Sequence, residues 1–207
     1  MAKYDLNNRV AIVTGSSSGI GAEIALKLAA NGALVVITGR NGDALALVAE
    51  RIKAAAPGGA EPLQVVGSLL DDAFPGQLVQ AAVARFGGID ILVNNAGAAT
   101  PYGGFDQANM LTEYDQVMRL NVRSVVEMTQ LALPYLAKST FGGNVLNISS
   151  IAGIKAVSQS STEDEAEKSS SLKRQLFTRS DGQVFGVQCQ QGSPGYGHQN
   201  QVMLEVD

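Results

Sequence analysis

Apolar residues fall in short dense runs separated by longer stretches of helical periodicity. The runs are Arg9–Thr14, Ala33–Thr38, Pro62–Val66, Ile89–Val93 and Asn144–Ile148. Short runs of this kind, without polar alternation, predict strands buried on both faces of a parallel sheet. Between the first two, Ile20, Ile24 and Leu28 recur every four residues and predict a helix over 19–30, stopped by Asn31-Gly32. Helices are predicted likewise over 42–55, 72–86 and 112–136. In the last, Thr112 and Asp115 are start signals, and Val117, Leu120, Ser124, Val125, Met128 and Leu131 form the apolar face. Strand and helix thus alternate in βαβα order, which predicts an α/β fold with a doubly wound parallel sheet.

The pattern stops near Val157. Ser158 to Asp207 holds 8 Ser and 8 Gln among 50 residues, and only 13 are hydrophobic. Net charge is −1 before the break and −3 after it, so apolar content changes more than charge does. The division is therefore 1–157 as an ordered domain and 158–207 as a polar Ser/Gln-rich tail, weakly ordered. The best helix candidate in the tail is 162–177, opened by Ser161 or Thr162 with acids in the first turn.

Composition narrows the class. The chain of 207 residues is 45% hydrophobic, enough for one core, and carries a net charge of −4. With no Trp and few aromatics, it offers no electrostatic case for nucleic acid. No apolar run is long enough to span a membrane, and Met1–Val10 has no secretory h-region, so a cytoplasmic protein without a membrane partner is expected. Cys189 is the only cysteine and His198 the only histidine, so no internal disulfide and no metal site are expected.

The first strand runs into Thr14-Gly15-Ser16-Ser17-Ser18-Gly19-Ile20-Gly21, and a helix follows. Glycines there let the backbone turn tightly and approach a pyrophosphate, which meets unpaired N–H groups at the helix start. A Gly/Ser turn also serves as a plain connector, but the strand–loop–helix context favours phosphate. Gly15, Ser17, Ser18, Gly19, Ile20 and Gly21 are the candidate contacts. The second strand ends at Thr38-Gly39-Arg40, about 20 residues past the glycines. An acid at that point selects the 2′-hydroxyl of NAD, whereas an arginine suits the 2′-phosphate of NADP. Arg40 and Asn41 stand there and no acid precedes Asp43, so NADP(H) is expected over NAD(H).

These residues resemble the short-chain dehydrogenase/reductase family. The Thr14–Gly21 stretch looks like its cofactor loop. Asn94-Asn95-Ala96-Gly97 looks like its second motif, which implies cofactor roles for Asn94, Ala96 and Gly97. Asn121 matches the asparagine that holds a proton-relay water, and Asn147-Ile148-Ser149-Ser150 resembles the catalytic-serine strand, with Ser150 at the catalytic position. Four motifs in order over 7–157 imply a Rossmann-type, NAD(P)-binding domain. They also imply hydride transfer between nicotinamide and a small alcohol or carbonyl substrate. Ser68 stands where the family often carries an adenine-contacting Asp.

One part of that pattern is missing. The family places a Tyr-x-x-x-Lys pair, one helical turn apart, about a dozen residues beyond the serine. The lysine lowers the tyrosine pKa, and the tyrosine passes the proton. Here 161–168 reads STEDEAEK. The five tyrosines, Tyr4, Tyr102, Tyr114, Tyr135 and Tyr196, are followed four positions on by Asn8, Asp106, Met118, Ser139 and Asn200. The expectation is a chain altered or truncated after about 157, its sheet incomplete on the C-terminal side, inactive or weakly active. The alternative is a non-catalytic dinucleotide-binding or interfering subunit. The resemblance implies that the strand at 144–148 keeps an open edge, and the family's usual tetramer is not expected.

Overall fold

The computed structural model describes residues 5–98 and 108–149, and the strands at 173–179, 184–190 and 201–202. Ser150, the acidic segment at 163–167 and His198 lie outside the described residues. Five parallel strands form the sheet: β1 Val10–Val13, β2 Leu34–Gly39, β3 Leu63–Val66, β4 Ile91–Asn94 and β5 Asn144–Ile148. Their order is β3-β2-β1-β4-β5. The chain winds outward from β1 to β3, then crosses back to β4. The order therefore reverses between β1 and β4, and such a switch point opens a crevice at the strand C-termini.

Burial explains the unbroken apolar runs. Every residue of β1 is buried, and Ala11 and Val13 face one side of the sheet while Ile12 faces the other. On the first side, helices α1 Gly19–Ala30 and α2 Gly42–Ala55 contribute Ile24, Leu28, Leu45 and Ile52. On the second, α3 Phe74–Phe86 and α5 Ser124–Leu136 contribute Leu78, Ala82, Met128 and Leu136. Fully burying one such leucine or isoleucine stabilises the fold by about 1.5–3 kcal/mol. The central strands β1, β2 and β4 are thus covered on both faces, as the runs predict, whereas β3 at the sheet edge alternates, with Gln64 and Val66 exposed.

At the N-terminal ends of the strands, Asp90 is buried and ties three segments together. Its Oδ2 accepts from Val10 N at 2.7 Å, and its Oδ1 accepts from the Ser139 hydroxyl. Its backbone carbonyl accepts from Asn144 N at 2.8 Å. Asp90, through its carboxylate and its backbone carbonyl, therefore aligns the starts of β1, β4 and β5.

Three predicted elements differ from the structure. The helix over 112–136 starts earlier, with α4 Met110–Met118 behind Asn109. It is also not uniformly α-helical, because a π turn spans Arg119–Arg123 before α5. Ser124 N donates to Arg119 O, one residue further back than in an α-helix, and the Ser124 hydroxyl donates instead to Leu120 O at 2.6 Å. Side-chain periodicity shifts too little over five residues to reveal such a turn.

The helix predicted over 162–177 is overturned where it can be seen: its last residues lie in a strand, β6 Lys173–Arg179. Phe177 and Thr178 are good strand formers, a signal outweighed in the helix reading by the acids upstream. The open edge expected for β5 is likewise overturned. β6 pairs with β5 antiparallel, and β7 Val184–Gln190 and β8 Gln201–Val202 extend the sheet further. An unpaired strand edge presents a row of N–H and C=O groups that any extended segment can satisfy.

Candidate functional site

The loop after β1 is shaped by which of its serines turn inward. Ser16 is fully buried. Its hydroxyl donates to Val13 O at 2.8 Å and accepts from Thr38 N at 2.9 Å, while Ser16 N donates to Thr38 O at 2.9 Å. This pins the loop to β2 and turns Ser17 and Ser18 toward the crevice, which both line. Gly15 has φ +62°, and a Cβ there would stand 2.8 Å from Ala96 Cα. At Gly21 a Cβ would meet Asn95 Nδ2 at 2.4 Å and Gly15 O at 2.5 Å. No other residue type fits either position without displacing its neighbours.

Ser18 precedes α1 in an extended conformation and makes no side-chain cap. The first N–H groups of a helix have no intrahelical partner. A bare backbone turn thus leads into donors that no cap engages, which suits a phosphate group.

The second strand-end segment locks onto this loop. The Thr14 hydroxyl donates to Val93 O at 3.2 Å and accepts from Asn95 N at 2.9 Å and Ala96 N at 3.0 Å. Asn95 Nδ2 returns to Thr14 O at 2.9 Å and Gly15 O at 3.0 Å. Asn94 is buried behind it, and its Nδ2 donates to Asn147 Oδ1 at 2.9 Å and Thr129 Oγ1 at 3.2 Å. Asn94 therefore braces β4 against β5 and α5 and does not line the crevice.

Between these segments lies a cavity of about 530 Å³, within the usual range for small-molecule sites. Of the cofactor candidates, Gly15, Ser17, Ser18, Arg40, Ala96 and Gly97 line it, while Gly19, Ile20, Gly21, Asn41 and Asn94 do not. Arg40 is exposed and forms no ion pair among the described residues. Asn41 caps α2, its Oδ1 accepting from Ala44 N at 3.0 Å. Gly67, Ser68, Leu69 and Phe74 close the end beside β3, and Gly97, Val117 and Leu120 the end beside α4.

Asn121 sits in the π turn with its side chain fully oriented: Oδ1 accepts from Ala98 N at 2.9 Å and Nδ2 donates to Ala98 O at 2.7 Å. It holds the chain just beyond Gly97 against the long helix. Thr14, Ser16, Asn95 and Phe74 are working residues that the candidate set missed. The first three lie inside motifs already singled out, so their signal was position. Phe74 had none, because an aromatic at a helix start reads as core. Among the described residues there is no cluster able to hold a metal ion, and no helix long and apolar enough to cross a membrane.

Comparison with known proteins agrees with this architecture. The family model described as short chain dehydrogenase matches residues 9–162. An uncharacterized oxidoreductase of Staphylococcus epidermidis is 34% identical over 160 residues, which cover 75% of this chain and 63% of that protein. The rhamnolipids biosynthesis 3-oxoacyl-[acyl-carrier-protein] reductase of Pseudomonas aeruginosa is 38% identical over 159 residues, covering 75% of this chain and 60% of the relative. A solved 7α-hydroxysteroid dehydrogenase, in complex with NADH and 7-oxo glycochenodeoxycholic acid, superposes with a TM-score of 0.67 at 33% identity, over 74% of this chain and 57% of that one. The chain thus spans about three-fifths of the length of the curated relatives it matches.

Proposed function

The chain belongs to the short-chain dehydrogenase family, and on that premise we propose that its cavity binds a nicotinamide dinucleotide, NADP(H) in preference to NAD(H). The carrying observation is the bare backbone at Gly15 and Gly21, where a Cβ would collide with the opposing Asn95–Ala96 segment. The pyrophosphate would lie against Ser17, Ser18 and the start of α1. Arg40, unpaired among the described residues and at the cavity wall, would hold the 2′-phosphate. A planar guanidinium offers paired donors to phosphate oxygens, and no carboxylate stands at the end of β2 to repel them. Ala96 and Gly97 would leave room for the nicotinamide ribose.

When bound, the nicotinamide supplies or accepts a hydride, in exchange with a small alcohol or carbonyl. This chain's own contribution to that step is limited. Asn121, fixed by Ala98, would orient the wall beside the nicotinamide, and Ser150 would donate a hydrogen bond to the substrate oxygen. No Tyr-x-x-x-Lys occurs in the sequence to move the proton. Loss of a positioned general acid costs about 10²–10⁴ in rate. The chain is therefore read as a dinucleotide binder with little or no turnover.

The experiment is a thermal melt with and without NADPH, followed by NADPH oxidation over a carbonyl panel. Binding at a hundredfold excess over Kd adds about 2.7 kcal/mol of stability, so a clear rise in Tm is expected, with no oxidation above background. An unchanged Tm at millimolar NADPH overturns the reading. Brisk oxidation overturns the inactive part of it alone.

A further inference from the structure

The chain holds two Asn-Gly pairs, Asn31-Gly32 and Asn41-Gly42. A glycine after asparagine leaves the amide nitrogen between them unshielded by a side chain. That nitrogen can attack the asparagine Cγ. A backbone N–Cγ bond forms, the Cγ–Nδ2 bond breaks, and ammonia leaves. Water then opens the five-membered succinimide to an aspartate or an isoaspartate. The reaction needs water alone, with no oxidant or reductant. It does need a free backbone N–H, a free side-chain amide and a backbone able to turn.

The two pairs meet these needs differently. Asn31 is half-buried, and its Nδ2 donates to Lys27 O at 2.7 Å. The attacking nitrogen, Gly32 N, donates to Ala29 O at 2.9 Å. Gly32 has φ +95° and is wedged against Asn7, whose Oδ1 would stand 2.1 Å from a Cβ there. Nucleophile, amide and backbone are all engaged. Asn41 is exposed, and its side chain is held by one bond, from Ala44 N at 3.0 Å. Gly42 opens α2, where an N–H has no intrahelical partner, and its N–H makes no hydrogen bond among the described residues. One exposed bond at a helix end therefore restrains the Asn41 pair.

The product suits the fold but alters the site. Aspartate caps a helix as well as asparagine does, and the start of α2 favours its charge. The new carboxylate stands one residue from Arg40, which lines the cavity and is unpaired among the described residues. A carboxylate there competes for the guanidinium and repels a phosphate. We propose that Asn41 is a site of spontaneous deamidation whose product weakens NADP(H) binding at Arg40. The second half rests on the cavity reading given above; the first does not.

The test incubates the full chain in warm, mildly alkaline buffer and maps its peptides by mass spectrometry. Asn41 converts at least about fivefold faster than Asn31, where one more hydrogen bond must open. Gly42→Ala slows the conversion, and it keeps the fold because its Cβ meets only Val66 Cγ2, at an ordinary 3.5 Å. Equal rates at the two pairs, or an unslowed Gly42→Ala chain, overturn the modification. Asn41→Asp supplies the aspartate product uniformly for calorimetry. NADPH affinity falls about threefold or more, as between exposed like charges, while NADH, which lacks the 2′-phosphate, is little affected. An unchanged NADPH-to-NADH ratio overturns the effect on the site. A wild-type chain that binds neither dinucleotide overturns the cavity reading and that effect with it, whereas the peptide map reads the modification by itself.

Discussion

Thr14 and Asn95 hold each other from neighbouring strand ends. The Thr14 hydroxyl accepts from the Asn95 backbone N–H at 2.9 Å, and the Asn95 side chain donates to Thr14 O at 2.9 Å. The same Asn95 amide also reaches Gly15 O at 3.0 Å. The exchange fixes the loop after β1 against the far side of the crevice, so the switch point between β1 and β4 has a set width. Removing one partner from a part-buried network costs about 1–3 kcal/mol. Asn95→Ala and Thr14→Val should each lower stability by that amount in urea titrations, with NADPH binding weakened further because the loop loses its brace.

The glycine backbone makes a sharper demand. Gly15→Ala must adopt φ +62° and bring a Cβ to 2.8 Å from Ala96 Cα. A non-glycine residue held in such a region costs about 1–3 kcal/mol before the clash is counted. The expected outcome is a lower Tm and loss of the NADPH-induced shift, read in one melting experiment.

Arg40 carries the dinucleotide preference in the proposed reading. Hydrogen bonds to a charged group contribute about 1.5–3 kcal/mol, or roughly 10–100-fold in affinity. Arg40→Asp should lose that factor for NADPH and gain affinity for NADH, because the carboxylate accepts from the 2′-hydroxyl. Calorimetric titration with both dinucleotides reads the change. The side chain is exposed, so Tm without ligand should hardly move.

Asp90 anchors the opposite end of the sheet, far from the crevice. Asp90→Ala strands the buried Val10 N–H and frees the Ser139 hydroxyl. A loss of about 1–3 kcal/mol in denaturant is expected. The ratio of NADPH to NADH affinity should not change, since the Asp90 hydrogen-bond partners Val10, Ser139 and Asn144 do not line the cavity.

On the surface, Glu61 titrates below its ordinary 4.5, chiefly through its hydrogen bond to Lys53, and Lys53 is raised above 10.5 by its hydrogen bonds to Glu61 and then Glu50. The Glu61 contribution is therefore present above the unfolded carboxylate pKa and is lost as pH falls through the lower folded value. The Lys53 contribution is present below the unfolded lysine pKa and is lost as pH rises through the raised one. Both groups are exposed, so the effect is small and screened by salt. An NMR titration of the Glu61 carboxylate should give a midpoint below 4.5, moving back toward it as salt is added.

By itself the sequence determined the five parallel strands, the two-sided burial of the central ones and the place of the glycine-rich loop after β1. Each follows from local signals: unbroken runs such as Val10–Val13, the four-residue recurrence of Ile24 and Leu28, and the glycines after β1. Tertiary structure decided what depends on partners distant in the chain. Ser16 and Ser17 are the same residue type side by side, yet one is pinned under β2 and the other lines the cavity. Asn94 and Asn95 are also adjacent, and one braces the sheet while the other clamps the loop. The sequence cannot separate them, because direction alternates along a strand and reverses at its end. Nor could it reveal the π turn at Asn121 or the pairing of β6 with β5, since both turn on which backbone groups are left without a nearer partner.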